Sequence, residues 1–134
     1  MNLPCRAASP YRAEAFTKYF GGIVNAAFVD QQEVELQPLV LPECKSCSGI
    51  SASIVSYRQK KQRFVGQYLN VTSAVFSSEL SGVTKVLATT DQLGGKVMDA
   101  NGLVVETASP SKGNVSFQLK FDGGWRVLEM QGVA

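Results

Sequence analysis

A change of rhythm near residue 64 constrains this chain more than any other feature. Before it, apolar side chains recur every three or four residues; after it, they alternate in twos. Pro10-Tyr11-Arg12-Ala13-Glu14 reads as a helix entry. Phe16, Tyr19, Phe20, Ile23, Val24, Ala27 and Phe28 then form a broad apolar stripe that must face a core. Gly21-Gly22 sits inside that stripe at a cost of about 1 kcal/mol each relative to alanine, so a close approach by another element is expected there. Asp30 to Val40 predicts a short second helix carrying Val34, Leu36 and Leu39, ended by Pro38 or Pro42. A further helix, capped by Ser46 or Ser48, is expected to run to about Gln62 with Ile50, Ile54 and Tyr57 as its buried row.

From Phe64 the period is two. Val65, Leu69, Val71 and Val75 are expected on one face, and Phe64, Tyr68 and Phe76 on the other. Val83 to Thr90 is a second β-branched run, Gly94-Gly95 bends the chain, and Ala100-Asn101-Gly102 turns it into Leu103-Val104-Val105. Val115, Phe117, Leu119 and Phe121 alternate with polar residues before Asp122-Gly123-Gly124 leads into Trp125-Arg126-Val127-Leu128. Helices followed by antiparallel strands make the fold class α+β, with N-terminal helices packed on one face of a strongly curved antiparallel sheet. At 134 residues the chain suits one domain, expected over 11–134 behind a flexible leader at 1–10.

Composition removes several function classes. The chain is 45% apolar and 18% charged, which is globular rather than disordered, and no apolar run approaches the ~20 residues of a membrane-spanning helix. A net charge of +2 gives no case for nucleic acid. Histidine is absent, so the commonest general base and metal ligand is missing. No phosphate loop, nucleophile elbow or metal-ligand pair is visible, and no cofactor or metal is expected. Arg58, Lys60, Lys61 and Arg63 crowd the end of the third predicted helix. They read either as cations complementing the helix dipole or as a patch for an anionic envelope surface.

Cys44-Lys45-Ser46-Cys47 is a C-x-x-C with no second pair to complete a zinc site. A structural disulfide pinning a helix start is preferred over a redox pair, because no strand pattern precedes Cys44 as such redox motifs require. A disulfide points to an oxidising, extracytoplasmic compartment. Cys5 is then an odd thiol, and Pro4 and Asn2 before it do not suit a lipid-attachment signal. Met1 to Pro10 lacks an apolar targeting core, so membrane anchoring is expected only of a longer native form.

The order of these elements resembles the nuclear-transport-factor-2-like superfamily, with Phe121-Asp122-Gly123-Gly124-Trp125-Arg126-Val127 similar to its last hairpin. A closer likeness is to a family of actinobacterial lipoproteins of unknown function. They share the aromatic first helix, a C-x-x-C entering the last helix, and a tail similar to Asp99-Ala100-Asn101-Gly102 through Trp125-Arg126-Val127. That resemblance spans about residues 10–131. It implies a cone with a pocket between sheet and helices. Phe20, Tyr57, Tyr68, Phe117 and Trp125 are the candidate lining, although at their spacings they also suit plain core.

Carboxylates set in apolar strand sequence (Glu129, Glu106 and Asp99) are the candidates for acid–base work, since burial would raise their pKa values. Glu129 depends on hairpin register. A two-residue turn sets it opposite Ser116, and a three-residue loop sets it opposite Phe117. The leading expectation is a non-catalytic extracytoplasmic binding domain of a lipoprotein, taking a small apolar ligand in the cone, a protein partner on the sheet, or a second copy. The alternative is a cofactor-free isomerase- or dehydratase-like enzyme using a buried carboxylate and a tyrosine. A redox protein built on Cys44 and Cys47 is the third.

Overall fold

A computed structural model describes residues 9–29, 36–92 and 94–133, and the fold is α+β. Helix α1 spans Pro10–Val29, a 3-10 turn spans Gln37–Leu39, and α2 spans Lys45–Gln59. Seven strands follow: β1 Arg63–Gly66, β2 Asn70–Leu80, β3 Val83–Gln92, β4 Gly95–Met98, β5 Val104–Ala108, β6 Ser111–Phe121 and β7 Trp125–Val133. All strand pairings are antiparallel. Among the described residues no helix is long and apolar enough to cross a membrane.

The expected single curved sheet is divided into two, ordered β1-β4-β5 and β2-β3-β6-β7. Three chain segments cross between the two sheets: β1 continues into β2, β3 into β4, and β5 into β6. The division is therefore a corner, with the bend too sharp for the hydrogen-bond ladder to follow. Glycines make it. A Cβ on Gly95 would lie 2.4 Å from the Val65 carbonyl oxygen, and one on Gly66 would lie 2.6 Å from that of Gly94. At this corner the alternation of β2 also changes phase. A bulge between Val71 and Ser73 leaves Val71 packed on the core while Val75 turns outward, so these two do not share a face.

Helix α1 lies across the concave side, burying Phe16, Phe20, Val24 and Phe28 against Phe117, Val86 and Ala74. Its polar residues complete what the bent sheet leaves unpaired. Asn25 Oδ1 accepts from the backbone N–H groups of Tyr68 and Leu69 at 2.8 and 3.0 Å, just where the corner interrupts the ladder. Glu14 Oε2 accepts from the Phe76 N–H at 2.7 Å, beside a second bulge in β2. Unpaired amides there would cost about 1–3 kcal/mol each if buried.

Three sequence expectations change at helix ends. Residues 30–35 of the expected second helix lie outside the described residues, and Pro38 helps open the 3-10 turn rather than ending a helix. Helix α2 stops at Gln59, short of Gln62. The Lys61 and Gln62 N–H groups return to the Arg58 and Tyr57 carbonyls in a Schellman closure, with Lys61 left-handed at φ 54°. Most of the expected leader, Cys5 included, lies outside the described residues, while Pro10 already belongs to α1.

The two central glycines of α1 separate propensity from packing. A Cβ on Gly21 would sit 2.6 Å from Val71 Cγ2, whereas one on Gly22 meets nothing within 4 Å. The close approach expected of the pair is thus made by Gly21 alone. Gly22→Ala should stabilise by about 0.5–1 kcal/mol in urea unfolding. Gly21→Ala should destabilise despite the same propensity gain, because stiff, β-branched Val71 cannot swing aside.

Candidate functional site

The junction where β7 meets the start of α2 concentrates the chemistry of the molecule. Leu41 N–H donates to the Val127 carbonyl at 2.9 Å, tying the segment before the cysteines to β7. Cys44 and Cys47 are disulfide-bonded, and each is only 1% exposed. Cys44 itself is the N-cap of α2, its sulfur accepting from the Cys47 N–H at 3.2 Å; neither Ser46 nor Ser48 holds that position. The C-x-x-C therefore closes the first turn of the helix covalently. Its burial is at odds with the exposed, low-pKa thiol that a redox protein would need.

Glu129 completes the junction in a way neither hairpin alternative anticipates. The loop does hold three residues, since Phe121 pairs with Trp125. A bulge between Gln118 and Leu119 then shifts the register, and Glu129 ends opposite Gln118. From the β7 edge its Oε1 accepts from the Ser46 hydroxyl, from the Ser46 N–H at 3.4 Å and from the Met130 N–H at 3.0 Å. Helix α2 has no acidic residue in its own first turn, so this carboxylate supplies from a distant strand the negative charge that a helix N-terminus favours.

That environment sets the protonation state of Glu129. The Ser46 hydroxyl and then the Met130 N–H hold its carboxyl below the ordinary value of 4.5, outweighing desolvation. A general acid or base would need the opposite shift. Asp99 is engaged too: its Oδ1 accepts from the Asn101 and Leu103 N–H groups at 2.9 and 3.0 Å, forming the turn into β5. Glu106 lies on the exposed strand β5.

The five aromatic candidates divide into three settings. Phe20 and Phe117 meet edge to face in the core, with centroids 6.3 Å apart. Tyr57 and Tyr68 join a cluster around Phe28, which stacks on Tyr68 at 3.8 Å and meets Tyr57 edge-on at 5.1 Å. Burial raises both phenol pKa values, helped at Tyr57 by Tyr68 and Glu106, so both rings stay neutral donors. Trp125 stands apart at the far end of the sheet, against Phe121. Of the basic group, Lys60, Lys61 and Arg63 are exposed, while Arg58 is half-buried with its Nε withdrawn from solvent.

Asn25 and Glu14 are the polar residues that sequence reasoning missed, and Ser46 entered it only as a candidate helix cap. The one local signal is a polar Asn25 amid the apolar stripe of α1.

No family model matches the chain, and no curated protein matches it. Solved structures do. The intermembrane-space region of chloroplast protein ARC6 is similar at 17% identity, covering 96% of this chain and 98% of that one, with a TM-score of 0.69. A Xanthomonas campestris chain described as a calcium/calmodulin-dependent protein kinase II association domain is similar at 14% identity, covering 100% and 96%, with a TM-score of 0.51. These likenesses establish a shared α+β fold.

Glu129→Gln should lower stability at neutral pH. Because the folded pKa is depressed, the contribution is complete above the ordinary value of 4.5 and disappears as pH falls through the lowered one, where wild type and variant should converge in urea titrations. In a Cys5→Ser background, mild reductant should free no thiol for alkylation until denaturant is added, and full reduction should lower the melting temperature modestly, since the closed loop is short.

Proposed function

We propose that this is a non-catalytic interaction domain of an extracytoplasmic protein, which associates through the outer face of its four-stranded sheet. One observation carries the reading. The face turned away from α1 leaves Val75 57%, Leu87 44% and Val133 45% exposed. These side chains rim a shallow hollow of about 340 Å³ together with the uncharged Ser73, Thr89 and Asn114. Val75 and Leu87 are direct cross-strand partners and form one apolar pair, while Val133 lies in the next row beside Asn114.

Other features favour the same reading. One fold neighbour is described as an association domain. Glu14 and Glu129 at helix–sheet junctions and Asp99 in the β4–β5 turn are occupied by structural hydrogen bonds rather than poised for proton transfer. The buried disulfide suits an oxidising compartment. Exposed Lys60, Lys61 and Arg63 offer a weak contact for an anionic envelope surface, consistent with membrane anchoring of a longer form. A second copy of the chain is the simplest occupant of the sheet face, because a flat uncharged surface is complementary to itself.

Sedimentation across a concentration series tests this. Wild type should self-associate, and Val75→Lys/Leu87→Lys should be monomeric at every concentration with an unchanged melting temperature. A wild type that stays monomeric up to roughly millimolar, weaker than useful self-association, would remove this use of the face.

A further inference from the structure

At the opposite end of the large sheet, under the start of α1, lies a second hollow of about 330 Å³. Its walls are unusual for so small a space. Phe76, Phe121 and Trp125 line it from three different strands, with Pro10 from α1, and the polar lining residues include Glu79 and Thr84. Register explains how the acid comes to be there. Glu79 pairs with Thr84 across β2 and β3, and a bulge between Phe76 and Ser78 brings Glu79 round to the inner face that Phe76 also occupies. Glu79 is exposed and lines the hollow, and it makes no ion pair among the described residues.

Two of the N–H positions at the helix end are closed to an anion. Pro10 has no N–H, and the Arg12 N–H is taken by the Ser9 hydroxyl at 3.2 Å. The lining brings a carboxylate residue beside three aromatic side chains, and aromatic faces attract cations while excluding the water that would hydrate them. A strongly hydrated ammonium would lose more on entering than an alkylated one, whose methyl groups also satisfy the apolar walls.

We propose that this hollow binds a small organic cation, an alkylated ammonium group seated among Phe76, Phe121 and Trp125 with Glu79 as its counter-ion. The chemistry is that of a quaternary ammonium, whether a free ion or a lipid headgroup. The site is separate from the outer sheet face and does not depend on it.

Trp125 is the sole tryptophan of the chain, so fluorescence reports directly on the site. Titration with choline or tetramethylammonium should give a saturable change with a dissociation constant on the order of millimolar. The neutral isostere 3,3-dimethylbutanol should bind at least several-fold more weakly. Glu79→Gln and Phe76→Leu should each weaken choline by about two- to five-fold, the first with loss of salt dependence. Saturable binding of choline assigns a free ion. Binding only to phosphatidylcholine vesicles, and not to anionic vesicles lacking choline, assigns the headgroup; either upholds the proposal. The absence of saturable binding to both, equal affinity for the neutral isostere, or unaltered affinity in both variants overturns it. Val75→Lys/Leu87→Lys should bind choline as wild type does, so failure at one surface is distinguishable from failure at the other.

Discussion

Helix α1 lying in the bend of the sheet is the contact on which the rest of this structure depends. Phe16, Phe20, Val24 and Phe28 fill the concave side, and Gly21 lets the helix come down onto Val71 without a side chain between them. Packing alone would not hold the corner, because a sharply bent ladder leaves amide groups without partners. Asn25 and Glu14 supply those partners from the same helix that supplies the apolar stripe. Bend and helix therefore stabilise each other: the corner creates the amides that α1 satisfies, and α1 fills the concavity that the corner creates.

A second junction repeats this logic with different chemistry. Helix α2 has no acid of its own at its start, and its first turn is closed by the Cys44–Cys47 bridge. Glu129 reaches it from the opposite end of the sequence, through a bulge that turns the side chain to the sheet edge. The same residue that looked like a candidate catalyst is a charge partner for a helix N-terminus, and its lowered pKa is the consequence.

With both junctions committed to holding the fold, function moves to the surfaces. The outer sheet face is apolar and uncharged at its centre, which suits association. The hollow beneath the start of α1 combines aromatic walls with an unpaired carboxylate, which suits a small cation. The two proposed surfaces lie at opposite ends of the large sheet, so each stands apart from the other.

The sequence by itself determined the α+β class, the extent of α1 and the alternating strands after residue 64, and it favoured a structural Cys44–Cys47 bridge over a redox pair. Each follows from short-range periodicity or spacing, which a linear reading captures. Exposure was legible where alternation was clean, as in Phe117 to Lys120, but not at Ser116, a polar residue that is buried. Only the tertiary structure decided where the rhythm slips: the corner at Gly66 and Gly95, the bulges after Val71, after Phe76 and before Leu119, and hence the directions of Val75, Glu79 and Glu129. One inserted residue moves every later side chain to the other face, and nothing in local composition marks where the insertion falls. The partners of Asn25, Glu14 and Ser46 lie 43 to 83 positions away, a distance over which only the folded chain brings donor and acceptor together.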